Sequence, residues 1–455
     1  MGNSINMTIW FDVEDYITPQ SDKALDCILD MLDKRGIRGT FKIVGEKARV
    51  LKERGRSDII EKLKRHDIGY HTDYHSRHPV IIEYEENMGF ASGSLEFERR
   101  EWKGFSDVTR IMGRYPVAYG QPGFSWAPQV YPVLRKWSVP VYLDCNDFLI
   151  NDEKPFWYGG LLNLTDMHRQ VRLEFEGNSL FDAIKAFDTL HDELTGDGTA
   201  FISIYYHPCE FATEEFWDGV NFSNGVNSNL EQWVIPKLRS EEEMSHYISL
   251  LGSFLDYIME SCDVEFLTAS EIMGLEKSTP EKWNMEKVKY LSRNISDEVS
   301  FMSFEGHMMA ASEIFSLLAG YVAGGSLNDD LIYGPENFVA SKCADMLGVA
   351  AVKNSLRINY PTVMGYKMLP DFFEVEGSRI NPVDMFCTLA KIIREDLKDD
   401  DEVHVVKGKY MPGNFVRKDE HFGRKWIILD KEYRAPNIIK MAELQAWTLK
   451  PAMFE

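Results

Sequence analysis

The sequence predicts an α/β fold: a closed or nearly closed barrel of parallel strands with helices outside it, then a smaller, mainly helical module. Three observations carry this. From residue 5 to about 275, short apolar runs alternate with amphipathic helical patterns, as in a parallel sheet with crossover helices. So many strand-and-helix units favour a barrel over an open sheet. Near Ser278-Thr279-Pro280 the alternation stops, which divides the chain into 1-278 and 279-455, and 455 residues suffice for two or three cores.

In chain order, Met7-Phe11 reads as the first strand and Ser21-Arg35 as an amphipathic helix closed by Gly36, with Ser21 as its N-cap. Gly39-Val44 is the next strand, and a helix follows to about Arg54. A helix over Ser57-Arg65 leads into the strand His66-Tyr70. Later strands are expected at Val117-Gly120, Val139-Leu143, Phe201-Tyr206 and Val264-Leu267. In the second module, Phe301-Gly306 aligns without gaps onto Phe372-Gly377, an offset of 71 (377 − 306), and the following helices share an apolar face. Two related segments, about 300-345 and 371-415, are therefore expected. Asn381-Pro382 reads as the cap and first residue of the second helix.

Composition narrows the function. A formal charge of −22 argues against nucleic acid and anionic membrane surfaces, both of which attract basic patches. No apolar run approaches a membrane span, and the N-terminus lacks the pattern of a secretion signal. Cys27, Cys145, Cys209, Cys262, Cys343 and Cys387 show no paired spacing, which suggests reduced thiols and a cytoplasmic protein. A nucleophilic pair of Cys209 with His207 is a minor alternative.

The chemistry is concentrated in two stretches. Gly69-Tyr70-His71-Thr72-Asp73-Tyr74-His75 places two histidines four apart, a spacing that puts both imidazoles on one face of a helical turn. The cluster Asp12-Val13-Glu14-Asp15 ends an apolar run and supplies an oxygen ligand and a spare base. Together they read as a hydrolytic site for one divalent metal ion. Zinc suits the ligands first, with cobalt, nickel, iron or manganese compatible. Asp12, His71 and His207 each lie just beyond an expected strand, where a barrel gathers them.

These motifs resemble the polysaccharide deacetylase family, carbohydrate esterase family four, in order along the first 275 residues. Asp12-Val13-Glu14-Asp15-Tyr16 is similar to the acidic first motif in an extended form. Gly39-Gly45 resembles the second strand, His66-His75 the metal motif, and Tyr205-Glu210 the late strand with the catalytic histidine. Arg114-Gly123 resembles the third motif, but Gly120 stands where the family carries arginine. That arginine pairs with the base aspartate, so either another cation substitutes, the substrate supplies the charge, or activity is weak. The region Leu369-Gly377 also faintly resembles pseudomurein-binding repeats.

The resemblance implies a distorted (β/α) barrel of the deacetylase type and an amide hydrolase that removes an acetyl or similar group from an amino sugar or glycan. It implies His71, His75 and either Glu14 or Asp15 as metal ligands, with the extended spacing favouring Glu14. Asp12 becomes the general base and His207 the general acid. Gly123 is implied in an oxyanion hole, and Phe124 and Trp126 are candidates for a sugar platform. His66 and His78 read as structural, and Asp144 or Asp147 as groups that could orient His207. Two other readings stand beside this one: a hydrolase of a small amide or ureide, similar to the allantoinase-like branch, and a glycan-binding protein with weakened chemistry.

Overall fold

The computed structural model describes residues 5–144, 148–151, 154–164, 169–194, 200–261, 263–278 and 282–454. Cys145, Asp147, Cys262 and the boundary at 279–280 lie outside them. The strands of the main sheet are β1 (Ile5–Val13), β2 (Thr40–Ile43), β3 (Asp67–Tyr70), β4 (Ala118–Tyr119), β5 (Val141–Leu143), β6 (Phe156–Tyr158), β7 (Leu161–Leu164), β8 (Ala200–Tyr206) and β9 (Val264–Phe266). Their order is β6-β7-β5-β4-β3-β2-β1-β8, with Lys450–Pro451 added antiparallel outside β6. β1 to β5, β7 and β8 run parallel, and the sheet curls into a distorted half-barrel rather than a closed one. Among the described residues, the pairing beyond β8 continues as a bridge between Gln170 and Ser203.

β1, which pairs with three strands, is buried on both faces, as a parallel strand covered by helices must be. β8 pairs with it along Ile5 to Phe11. On its other edge, β9 takes Ile5 to Met7 and β2 takes Trp10 to Val13. The parallel run brings the carboxyl ends of β1, β3, β4 and β8 to one mouth. The first helix covers Pro19–Asp33 rather than Ser21-Arg35. Thr18 occupies the N-cap position, while the Ser21 hydroxyl turns inward to donate to Asp15 and Thr18 carbonyls.

The second module has its own core from Val288 to Val403, joined by Trp447. Each segment of the 71-residue alignment carries a hairpin followed by a helix. Met302–Phe304 and His307–Met309 form a hairpin before helix Ala311–Ala323; Phe373–Val375 and Ser378–Ile380 form one before Pro382–Arg394. The hairpin turns are Glu305-Gly306 and Glu376-Gly377, all four residues at positive φ, the geometry of a type I′ turn. The unit expected over 279-455 does not keep its C-terminal end, however. Val416, Phe422, Ile428, Leu429, Ile438, Ala442 and Leu449 pack into the barrel core instead. Apolar residues there were free to choose either core, and sequence pattern does not say which.

Gly306 and Gly377 have open space where a Cβ would stand, so substitution is opposed by backbone conformation alone. Gly306→Ala and Gly377→Ala should each lower stability by about 1–2 kcal/mol, and by similar amounts, in thermal or denaturant unfolding. A negligible or strongly unequal loss would mean that the turns are not equivalent.

Candidate metal centre

Alternation along β1 decides which acids reach the mouth. Asp12 and Glu14 are two apart and share a face, whereas Val13 turns into the core. Asp15 falls out of phase. Its Oδ1 accepts the backbone N–H groups of Ile17 and Thr18 at 2.9 Å, which ties it to the start of the first helix. Burial, outweighing Lys47 and these bonds, pushes its carboxyl up to about 6. Asp15 is thus engaged with the start of the first helix, and the buried group whose ligand atoms lie within 4.8 Å of one another is Glu14, His71 and His75.

The histidine pair does not ride on a helical turn as the spacing suggested. Residues 71–75 form an irregular loop after β3, with Thr72 and His75 at φ of 64° and 56°. The loop is braced from below by Glu101, which accepts the Asp73 N–H at 2.7 Å and the Tyr70 hydroxyl at 2.6 Å. Hydrogen bonds fix both imidazoles in one tautomer. His71 Nδ1 donates to the Gly120 carbonyl at 2.8 Å. His75 Nδ1 donates to Ser76 Oγ at 2.6 Å, and that hydroxyl donates onward to Asp218.

Each Nε2 is thereby left with a lone pair, aimed at the Glu14 Oε2 from 3.7 and 2.7 Å without a well-directed hydrogen bond. Two lone pairs and a carboxylate converging in a buried site repel one another unless a cation lies between them. Burial holds the His71 pKa below the ordinary histidine value, which keeps the ring neutral and available. For Glu14, burial opposes ionisation, but the charges that His75 and His207 carry when protonated outweigh it and hold the carboxyl well below its usual range; with the His75 ring neutral, that part falls to a bound cation. The donor set fits a divalent ion with open positions for water or substrate.

Asp12 faces this cluster, with Oδ2 at 3.5 Å from His71 Nε2. Its other oxygen meets Lys42 Nζ at 3.0 Å, and both side chains are almost wholly buried. Lys42 is directly opposite Asp12 in the β1–β2 register and opposite Gly69 in the next pair. A Cβ on Gly69 would lie 2.8 Å from Lys42 Cγ, and one on Gly120 would lie 2.8 Å from its Cδ and closer still to Nζ. Gly120 thus leaves room for a cation arriving from β2, where the sequence resemblance calls for an arginine on the Gly120 strand. Burial raises the Asp12 pKa, but His71 when protonated, Lys42 and His207 outweigh it and keep the group below the usual aspartate value.

His207 follows β8 on the opposite side. Its Nδ1 donates to Glu210 Oε1 at 2.7 Å, and Glu210 is held in turn by Arg172 at 2.6 Å. Tyr205 donates its single proton to Asp12 Oδ2 at 2.7 Å and therefore accepts from His207 Nε2 at 2.8 Å. That network assigns a doubly protonated ring. Burial disfavours the charge, but Glu14, Glu210 and Asp12 outweigh it and push the pKa up to about 9.

Sequence reasoning missed three of these groups. Glu210, not Asp144, orients His207, and its position three residues on, at a helix start, was the available signal. Tyr205 and Lys42 were visible only as strand residues. Asp144 lines the cleft in front of the site with Gly123 and Phe124, a space of about 380 Å³. Trp126 is corrected: it is fully buried, stacked on Phe148 with ring centroids 5.0 Å apart, and serves the core. His66 and His78 are structural. His66 Nδ1 accepts the Gly39 N–H, and burial lowers its pKa to about 4; His78 bridges Glu83 and the Phe222 carbonyl. Burial raises the Cys209 thiol well above its ordinary value, which opposes a nucleophilic role.

No family model matches the chain, and no curated protein matches it. Among solved structures it is similar to a protein of Mycobacterium smegmatis assigned to the polysaccharide deacetylases, at 15% identity and a TM-score of 0.38, covering 62% of this chain and 96% of that one. It is similar to the Puue allantoinase at 13% identity and a TM-score of 0.39, covering 59% and 90%. A CE4 family pseudoenzyme from Bacillus anthracis aligns at 12% identity and a TM-score of 0.32, covering 59% and 64%.

His71→Ala or His75→Ala should abolish divalent metal retained after dialysis, whereas Asp15→Asn should keep it, as read by elemental analysis. Metal lost in Asp15→Asn and kept in the histidine variants would reverse the assignment. Asp12→Asn leaves Lys42 buried without its charge partner, so unfolding should show a loss of about 3–5 kcal/mol. Adding Lys42→Met should recover much of that loss. Additive losses in the double variant would show that the two groups do not act as a pair.

Proposed function

We propose that this chain is a divalent-metal amide hydrolase that removes an N-acetyl or similar acyl group from an amino sugar. The observation that carries the reading is the pair of His71 and His75 lone pairs converging with Glu14, flanked by Asp12 on one side and protonated His207 on the other. Zinc is the first choice for such a donor set, with cobalt, nickel, iron and manganese compatible. When bound by Glu14, His71 and His75, the ion would supply Lewis acidity, polarising the acyl carbonyl and acidifying a water.

The remaining chemistry belongs to the chain's own groups. Asp12 is kept ionised by Lys42 at one oxygen, and at the other, Oδ2, it takes the proton of the attacking water. His207, anchored by Glu210 through Nδ1, presents Nε2 to the cleft and protonates the departing nitrogen. Tyr205 spans base and acid and keeps their reactive atoms at a fixed separation. Gly123 and Phe124 line the space where the acyl group and sugar would lie.

The small-amide or ureide reading shares this site and differs only in what fills the cleft. A disarmed glycan-binding protein was suggested by Gly120, and Lys42 beside Asp12 removes the main support for it.

Asp12→Asn should retain metal yet lose most turnover of N-acetylated amino sugars. His207→Ala should lose less on aryl acetates, whose leaving groups need no protonation. Glu210→Gln removes a group that raises the His207 pKa. The acid must be protonated to act, so the alkaline limb of kcat/KM against pH should move to lower pH. An unmoved limb would exclude His207 as the acid.

A further inference from the structure

The segment 415–428 returns from the second module and crosses the mouth of the barrel. At one end it is paired with the loop after β5: Val416 bridges Leu149, the Ile150 N–H donates to the Phe415 carbonyl, and the Arg417 N–H donates to the Phe148 carbonyl. At the other end it meets the loop after β8, where the Asn224 and Gly225 N–H groups donate to the Ile427 and Ile428 carbonyls at 3.0 and 2.8 Å. β5 and β8 lie four strands apart across β4, β3, β2 and β1, so the segment is a strap tied down on both sides of the site. Val416 and Ile428 are buried at the ties, and buried Phe422 anchors the segment between them, stacked on Phe148 at 5.4 Å.

The strap carries Trp426 onto the metal loop. Its indole stands edge-on to His75 with centroids 6.0 Å apart and lies against Gly123, where a Cβ would come within 2.6 Å of Trp426 Cδ2. With Lys425 and Ile427 it walls the cleft that contains Glu14 and His207. The cleft, about 380 Å³ and partly open to solvent, is at the small end of ligand pockets, which run from roughly 300 to 1,000 Å³. A sugar ring with its acyl group fits such a space, while a chain extending from both sides of that ring would have to pass through the strap.

We propose that the strap makes this a blind pocket and that Trp426 is its specificity-determining residue. The substrate is then a free N-acylated amino sugar or the end unit of a chain, and not an internal unit. This rests on the amide-hydrolase reading above.

The test uses full-length metal-loaded protein with N-acetylglucosamine and its linear hexamer, locating each deacetylated unit by mass spectrometry. The wild type should act on the monomer and on an end unit only. Trp426→Ala should spread deacetylation to internal units, while Trp426→Phe, which keeps a ring over Gly123, should retain the end preference. Internal deacetylation by the wild type would overturn the proposal, as would an unchanged pattern in a folded Trp426→Ala protein. If no acetate is released from any sugar, the hydrolase reading fails separately. Calorimetry then decides on the pocket, comparing the monomer with a hexamer blocked at both ends. Monomer binding that exceeds blocked-hexamer binding at least tenfold, and that loses this preference in Trp426→Ala, supports it; equal binding, or no monomer binding, overturns it.

Discussion

Burying several charges in one place is possible only if each is answered by another, and that constraint organises the structure around the end of β1. Asp12 and Glu14 lie together without exposure to water, a costly arrangement for two carboxylates. Lys42 answers the first from one strand away, and the second is answered by His207 together with the cation that the Glu14-His71-His75 group is built to hold. The cost is spread into the neighbouring strands, where Gly69 and Gly120 give up side chains so that the Lys42 stem can pass. The Glu101 brace under the metal loop and the Glu210 anchor behind His207 serve the same end, holding ligands and acid where ionisation is favoured.

Much of the barrel was legible in the sequence because its strands are apolar runs between helix signals. Thr40–Ile43, Ala200–Tyr206 and Val264–Phe266 fall within about a residue of their expected bounds, and β1 exceeds its own at both ends. The antiparallel pair Phe156–Tyr158 and Leu161–Leu164 was not expected, since two short runs joined at Gly159-Gly160 resemble a loop. The expected closed or nearly closed barrel takes the form of a curled half-barrel, since strand count says nothing about whether the last strand meets the first. In both aligned segments a hairpin precedes a helix, and the determinants of that pattern, the Glu-Gly turn and the apolar helix face, are local.

The site was legible where a residue type announces its chemistry and illegible where position does. Two histidines, a histidine after β8 and paired acids are conspicuous. Asp15 differs from Glu14 only in strand phase, which single-residue boundary errors obscure. Lys42 is one lysine among many, and its role follows from being opposite Asp12 in register and from the empty positions at Gly69 and Gly120. Trp426 lies more than 300 residues from the motifs it covers, and only the tertiary return of 415–428 brings it to His75.

The central claim is that the converging lone pairs of His71 and His75 and the Glu14 carboxylate hold one divalent ion facing Asp12. Crystals of the full chain grown with zinc, and measured on both sides of its absorption edge, test this most directly. A single strong anomalous peak is expected about 2.0–2.2 Å from His71 Nε2, His75 Nε2 and a Glu14 oxygen. A cluster with no peak, or a peak that takes Asp15 in place of Glu14, would contradict it.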